Sequence, residues 1–205
     1  MKIKVCGLNP TRDVQTCIDL NVHFLGFVFY DKSPRNTDLR EISFLKRYNS
    51  KTSHYVSVCV DPTNNFIQEN ILGNFEYIQL HGSETSERVK EIKSMGIKVI
   101  KAIKIKEQKD VILYKNYEDI ADLILFDSTS MEKSQRIPKD LLYKLPKGKK
   151  FGLAGAINSE NILEYSQLGF NFLDLSSGLE RENLKGYKDH LKIKNFINKI
   201  NDLKN

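Results

Sequence analysis

Four residues whose side chains can carry out chemistry each follow a short apolar run in this chain. The thiol of Cys6 ends the first run and the carboxylate of Asp127 ends a later one, while Arg35 and His81 follow two others. A thiolate is a nucleophile and a base, and a carboxyl group can donate or accept a proton. Any one of them is also explained by the turn chemistry that ends strands. The mixture of a thiol, a carboxylate, a guanidinium and an imidazole is what predicts a site.

Apolar runs alternate with segments of helical periodicity along the whole chain. The predicted strands are 3–6, 24–29, 55–60, 77–80, 98–103, 123–126, 151–154 and 172–175. The predicted helices lie near 10–20, 38–48, 63–71, 84–95, 107–116, 138–144, 158–167 and 188–201. Several strands are apolar on both faces, as is typical of parallel sheets that are covered by helices. The apolar spacing is most irregular in the fifth and sixth helices.

Alternating strands and helices allow two architectures, a closed (β/α)8 barrel or an open doubly wound sheet. The near-even spacing of the units favours the barrel, and neither a G-x-G-x-x-G motif nor a P-loop follows the first strand. We therefore predict an α/β protein with a (β/α)8 TIM-barrel fold, in which residues 1–205 form a single domain. Active residues of such barrels lie at the carboxyl ends of the strands, which would gather the four reactive side chains on one rim.

Composition narrows the classes of partner. Hydrophobic residues make up 40% of the chain, without the run of about 20 apolar residues that a membrane helix needs. No signal-peptide core follows the N-terminus, so we expect a cytoplasmic protein that does not bind membranes. The net charge is +6, but the lysines are scattered and no aromatic array accompanies them, so we expect no nucleic-acid partner. A modest positive potential would attract an anionic substrate.

The cysteines predict neither a metal site nor disulfides. There are three, at positions 6, 17 and 59, and their odd number and spacing fit neither a zinc motif nor a disulfide framework. Cys17 lies on a helix stripe and Cys59 in an apolar strand, so both are expected in the core. Cys6, at a strand end, is the one with a possible chemical role.

Longer motifs surround the reactive residues and occur in a fixed order. They are KVCG at 4–7, LGFVFYDKSPR at 25–35, QLHG at 79–82, LFDS at 125–128, LAG at 153–155, DLSSGLE at 174–180 and KGYKD at 185–189. Together they resemble the phosphoribosylanthranilate isomerase family, (β/α)8 enzymes of tryptophan biosynthesis. Each motif is unspecific alone, but their order and positions at strand ends cover nearly the whole chain.

The resemblance implies an Amadori rearrangement of N-(5-phosphoribosyl)anthranilate to 1-(2-carboxyphenylamino)-1-deoxyribulose 5-phosphate. It implies neither a metal nor an organic cofactor. By resemblance Asp127 is the general acid that protonates the ring oxygen of the sugar, and Cys6 is the general base that removes a proton from the second sugar carbon. The neighbouring Lys4 shares a face with Cys6 and is a candidate for favouring the thiolate.

The resemblance and the barrel geometry also predict where the substrate phosphate binds. Barrels commonly hold phosphate at the loops after strands seven and eight, using backbone N–H groups. Small residues stand there and let the backbone approach the phosphate; they are Gly155, Ala156, Ser176, Ser177 and Gly178. The family usually has a second glycine in place of Ala156, a change that is tolerable if the φ angle is negative and costly if it is positive.

Other substrate contacts are expected from three residues. Arg35 is the candidate for binding the anthranilate carboxylate through a bidentate fork. His81 is expected to line the pocket without transferring a proton, and Asp174 to orient loop residues.

The sequence departs from the family pattern after the sixth strand. The family usually has a Gly-Gly-Thr-Gly-type loop there, whereas residues 128–138 contain no glycine. Side chains of Lys133, Ser134, Gln135 or Arg136 are the candidates for replacing its contact with the phosphate.

Two other functions remain open at this point. One is a different phosphate-binding barrel, such as the histidine-pathway isomerase that performs the analogous rearrangement; that relative typically has an aspartate where Cys6 stands. The other is a non-catalytic barrel that serves as a binding module, which the missing glycines suggest and the retained acid–base pair opposes. For the isomerase we expect a small phosphorylated molecule as partner. We also expect a monomer, because no exposed apolar stripe is evident.

Overall fold

The computed structural model describes residues 1–128 and 136–203, and a closed barrel of eight parallel strands forms its centre. The strands are β1 (Lys2–Cys6), β2 (Phe24–Phe29), β3 (His54–Cys59), β4 (Tyr77–Leu80), β5 (Lys98–Lys104), β6 (Leu123–Asp127), β7 (Gly148–Leu153) and β8 (Phe170–Leu175). Each strand pairs with the next, and β8 pairs with β1, where Lys4 lies beside Asp174. The predicted TIM-barrel fold is confirmed.

Side chains alternate along each strand between two apolar cores. One core lies between the strands and the helices, and the other fills the barrel. The inner core consists of Cys6, Phe24, Val56, Val58, Ile100, Ala102, Leu123, Leu125, Ala154 and Phe172. Large and small residues complement each other there, because the Phe172 ring occupies the space that a side chain at Gly152 would need.

The helices form the outer layer. They are α1 (Val14–Asp19), α2 (Asn64–Phe66), α3 (Ser86–Ser94), α4 (Lys139–Leu142), α5 (Ile162–Ser166) and α6 (His190–Asp202), and α2 continues as a π-helical turn over Ile67–Ile71. Residues Leu39–Arg47, Gln108–Asn116 and Ser177–Leu179 form 3-10 helices. None of the helices in the described ranges is long and apolar enough to cross a membrane.

The second and fifth predicted helices differ from expectation because they are 3-10 rather than α-helical. Ile42 and Leu45 are the buried residues of the first of these segments, and Val111 and Tyr114 face the core in the second. Both pairs are three residues apart, a spacing that 3-10 helices and α-helices share, so the apolar pattern does not distinguish the two types.

The two cysteines that were assigned to the core are found there. Cys17 and Cys59 are buried free thiols in the core between strands and helices. Burial raises the pKa of each to about 12. Both therefore remain protonated and inert at neutral pH.

Candidate active site

The two candidate catalytic residues occupy equivalent places in the barrel. Cys6 is the last residue of β1 and Asp127 is the last residue of β6. Cys6 belongs to the inner core, and Asp127 lies on the same face of its strand as the inward-facing Leu123 and Leu125. Because all the strands are parallel, both side chains lie at the same, carboxyl end of the barrel.

The thiol of Cys6 lies above a buried ion pair. Lys4 is fully buried one layer deeper on the same strand, and its Nζ donates to Asp174 Oδ2 at 2.8 Å. The same ammonium group lowers the pKa of the thiol. Gly26 on β2 leaves the space for this arrangement, since a β-carbon there would stand 3.1 Å from both Cys6 Sγ and Lys4 Nζ.

The ionisation of Cys6 reflects two opposing effects. Burial raises the pKa of the thiol, Lys4 and Lys188 lower it, and Asp174 raises it; the net pKa lies above its ordinary value. Lys4 therefore has the expected sign of effect, but burial outweighs it. Without substrate, Cys6 is mainly a thiol at neutral pH.

Asp174 belongs to this pair, and among the described residues its side chain hydrogen-bonds Lys4 and none of the loop residues that it was expected to orient. Its Oδ2 binds Lys4 inside the barrel, and its buried Oδ1 has no hydrogen-bond partner among the described residues. The negative charge of Asp127 also raises the pKa of Asp174. The Lys4–Asp174 pair thus connects the surroundings of Cys6 to those of Asp127.

Asp127 is held by its own strand end and by β4. Its Oδ1 accepts from the Ser128 N–H at 2.7 Å, and its Oδ2 lies 3.3 Å from His81 Nε2. The side chain is 22% exposed, so the carboxyl group is supported by the protein and still open to the barrel mouth. His81 is therefore in contact with the candidate acid, beyond the pocket-lining role expected of it.

A buried side chain orients His81 in turn. Gln79, two residues earlier on β4, places its amide nitrogen 2.9 Å from His81 Nδ1. If that amide donates, Nδ1 is an acceptor and Nε2 carries the proton that points to Asp127.

Sequence reasoning missed a second buried ion pair that supports His81. Lys101 Nζ on β5 binds Glu84 Oε2 at 2.6 Å, and it also donates to the carbonyl oxygens of Leu80 and Gly82, on either side of His81. Glu84 accepts from the backbone N–H groups of Gly82 and Asp61. A lysine in the middle of an apolar strand was the signal that could have revealed this pair.

The loops predicted to bind phosphate lie close together. A β-carbon on Gly155 would stand 2.9 Å from Ser128 Oγ, and one on Gly178 would stand 2.6 Å from the Ile157 carbonyl oxygen. Among the described residues, no acceptor receives the backbone N–H groups of Gly155, Ala156, Ser177 or Gly178. These donors are available to a ligand.

Two residues of these loops differ from the simplest expectation. Ala156 has a φ angle of +49°, which is the costly alternative for a residue with a β-carbon. Ser176 uses its hydroxyl within the protein, since its Oγ donates to the Cys6 carbonyl oxygen at 3.1 Å.

The fork of Arg35 is already engaged. Its Nε donates to Glu180 Oε1 at 2.6 Å and its Nη2 to Glu180 Oε2 at 3.1 Å. The bidentate fork that was expected for a substrate carboxylate is therefore used by Glu180, and none of the described residues accepts a hydrogen bond from Nη1. Glu180 was missed because it lies 145 positions away in the chain.

Of the four candidate phosphate-binding residues in the loop after β6, one lies within the described residues. Lys133, Ser134 and Gln135 lie outside the described residues. Arg136 is described and exposed.

Fold and site together define a TIM barrel with a thiol and a carboxyl group on its inner rim, beside two adjacent loops of small residues. The family model for N-(5'-phosphoribosyl)anthranilate isomerase matches residues 3–199. The chain belongs to this family. The isomerase of Sinorhizobium medicae is 33% identical over 92% of this chain and 91% of its own length.

Solved structures of isomerases of this family are similar to this chain over nearly its whole length. An isomerase in complex with reduced 1-(o-carboxyphenylamino)-1-deoxyribulose 5-phosphate has a TM-score of 0.81 and 26% identity, over 98% of this chain and 99% of that one. Monomers generated from the dimeric Thermotoga maritima enzyme have a TM-score of 0.80 and 25% identity, with the same coverage.

Proposed function

We propose that this chain isomerises N-(5'-phosphoribosyl)anthranilate to 1-(2-carboxyphenylamino)-1-deoxyribulose 5-phosphate, with Asp127 as general acid and Cys6 as general base. The observation that carries the proposal is that a thiol and a partly open carboxyl group end β1 and β6 on the inner rim of a barrel of this family. The family membership favours this reaction over the analogous rearrangement of the histidine pathway.

The chemistry divides between the two groups. Asp127, protonated, gives its proton to the furanose oxygen, the C1–O bond breaks, and the anthranilate nitrogen supplies the electrons that form a C1=N Schiff base. The Cys6 thiolate then takes the proton from C2, and the electrons of that C–H bond form the C1=C2 bond of an enolamine. C1 then gains a proton while the C2 hydroxyl loses its own, and the O–H electrons form the C=O bond of the C2 ketone. Acid–base groups placed in this way typically contribute about 10²–10⁴ in rate.

Substrate anchoring follows from the donors at the rim. The backbone N–H groups of Gly155, Ala156, Ser177 and Gly178 bind the phosphate, and Ser176 fixes their loop to β1. Glycine at 155 and 178 lets the loops pack closely together, because a side chain at either position would collide with the neighbouring loop.

The anthranilate carboxylate is assigned to Arg35 through its Nη1, since the other two nitrogens hold Glu180. His81 lines the pocket and orients Asp127. The partner is thus a small phosphorylated molecule. The prediction of a monomer remains to be tested by sedimentation.

The activity is tested by following the loss of anthranilate fluorescence on freshly made phosphoribosylanthranilate. The expected result is turnover well above the uncatalysed rate. A folded sample with no turnover above that rate would contradict the enzyme assignment and favour a non-catalytic binding module.

A further inference from the structure

Lys188 is a buried lysine that the catalytic proposal does not use. Burial lowers the pKa of its amine and is the largest effect on it, while the charge of Glu180 raises that pKa. Lys188 lies in the segment between β8 and α6, and its side chain is 0% exposed. Its Nζ donates to the Ser176 carbonyl oxygen at 3.1 Å and lies 3.4 Å from both Ser176 Oγ and Glu180 Oε1. Burying an ammonium group is costly unless its partners compensate, so these contacts hold the side chain in one place.

The backbone fixes the position from which Lys188 reaches inward. Glu180 and Lys188 form an antiparallel bridge, and the Arg181 N–H donates to the Tyr187 carbonyl oxygen at 2.9 Å. Gly186 packs so closely on the segment before Arg35 that a β-carbon would stand 2.3 Å from the Pro34 carbonyl oxygen. The segment is therefore docked on the β2 loop and cannot shift without moving it.

The contact of Lys188 with Ser176 connects it to Cys6, the proposed general base. Ser176, which binds Lys188 through its carbonyl oxygen, donates its hydroxyl to the Cys6 carbonyl oxygen at 3.1 Å. The charge on Lys188 also acts directly on the Cys6 thiol. The charged groups that act on this thiol are Lys4 from β1, Asp174 from β8 and Lys188 from the segment after β8.

The contact of Lys188 with Glu180 connects it to Arg35, the candidate for binding the substrate carboxylate. Glu180 is 0% exposed and lies between the cations of Lys188 and Arg35. Burial raises the pKa of Glu180, but the hydrogen bond from Arg35 and the charge of Lys188 outweigh it, and the net pKa is lowered. The carboxylate therefore stays ionised and keeps Arg35 in place.

We propose that Lys188 is a positioning residue that supports the Cys6 thiolate and, through Glu180, sets the placement of Arg35. It thereby affects both the residue proposed to deprotonate the sugar and the residue proposed to bind the anthranilate carboxylate, and it contacts none of the reacting atoms. This inference rests on the proposed function for its catalytic meaning, but its effect on Cys6 is measurable without substrate.

The test compares iodoacetamide alkylation of Cys6 across pH 6–10 in the wild type, Lys188→Met and Lys192→Met, with the modified peptide quantified by mass spectrometry. Lys192 is the matched control, because its Nζ donates to the Glu180 carbonyl oxygen at 3.1 Å and its side chain is 40% exposed. Cys17 and Cys59, both buried, give separate peptides. Lys188→Gln is the second variant, which removes the charge but keeps a donor.

Loss of the Lys188 charge should shift the alkylation profile to higher pH and slow the reaction at pH 8 by roughly threefold to tenfold, the change in thiolate expected for up to one unit. Lys188→Gln should show the same shift, and Lys192→Met should alkylate like the wild type. Wild-type profiles in both Lys188 variants would overturn the proposal. An inactive wild type with the shift present would instead refute the proposed function and leave the role of Lys188 intact.

Discussion

Replacing Lys101 by methionine should destabilise the protein through a carboxylate that the substitution does not touch. Lys101 is 3% exposed, and its ammonium group binds Glu84 at 2.6 Å and the Gly82 carbonyl oxygen at 2.9 Å. Methionine has a similar volume, so it fills the space but supplies no charge and no donor. Glu84, itself 4% exposed, is then a buried carboxylate without a cation.

The expected loss of unfolding free energy depends on the hydrogen bonds that Glu84 retains. Removing one partner of a buried ion pair typically costs about 3–5 kcal/mol. Glu84 would still accept from the N–H groups of Asp61 at 2.9 Å and Gly82 at 3.1 Å, which favours the lower end of that range. A loss of about 3 kcal/mol leaves most domains folded, since total stability is about 5–15 kcal/mol. It should lower Tm by about 6–12 °C in a chain of this size.

The assay is thermal and urea unfolding followed by circular dichroism. Lys98→Met is the control, because Lys98 stands on the same strand and is exposed; its effect should stay within about 0.5 kcal/mol. The double variant Glu84→Gln with Lys101→Met removes the unpaired charge and should recover part of the loss. A loss below about 1 kcal/mol in Lys101→Met, or an equal loss in the control, would refute the reasoning.

Three further outcomes are expected. Gly26→Ala should lower kcat about tenfold, because its β-carbon would stand 3.1 Å from Cys6 Sγ and displacement of a reacting group is costly; a kcat equal to wild type, measured by the fluorescence assay, would contradict this. Ala156→Gly should raise the unfolding free energy by about 0.5–1 kcal/mol in urea titrations, because the φ angle is +49°; a decrease would show that the backbone is not strained. Acid should destabilise the wild type through Glu84. Burial raises the pKa of this carboxyl group, but Lys101 and the hydrogen bonds to it outweigh burial, so its pKa in the folded state is lowered. The resulting stability is present above the unfolded pKa of about 4.3 and is lost as pH falls through the lower folded value, so urea midpoints from pH 7 to 3 should fall less steeply in Lys101→Met.

The barrel was predictable from sequence because its signals are local. Each buried strand is a short apolar run, and the alternation with helical segments indicates the architecture without long-range knowledge. The helices were less predictable in type, because the buried residues of a 3-10 segment such as Leu39–Arg47 have a spacing that an α-helix shares.

The site was predictable in its residues and less so in its contacts. Cys6 and Asp127 stand at strand ends, where position alone identifies them as candidates. The use of the Arg35 fork by Glu180 was not predictable, because it depends on how the β2 and β8 loops pack. The positive φ angle of Ala156 likewise follows from the loop conformation and not from the residue type.

The central claim is that Cys6 and Asp127 are the base and the acid of one isomerisation. The most direct test is kcat for Cys6→Ser and Asp127→Asn, each with circular dichroism and unfolding midpoints to establish that the barrel is intact. Serine is far too weak an acid to supply an anion at neutral pH, and asparagine has no proton to donate to the ring oxygen, so each kcat should fall by about 10²–10⁴. A kcat within about threefold of the wild type in either folded variant would contradict the role assigned to that residue.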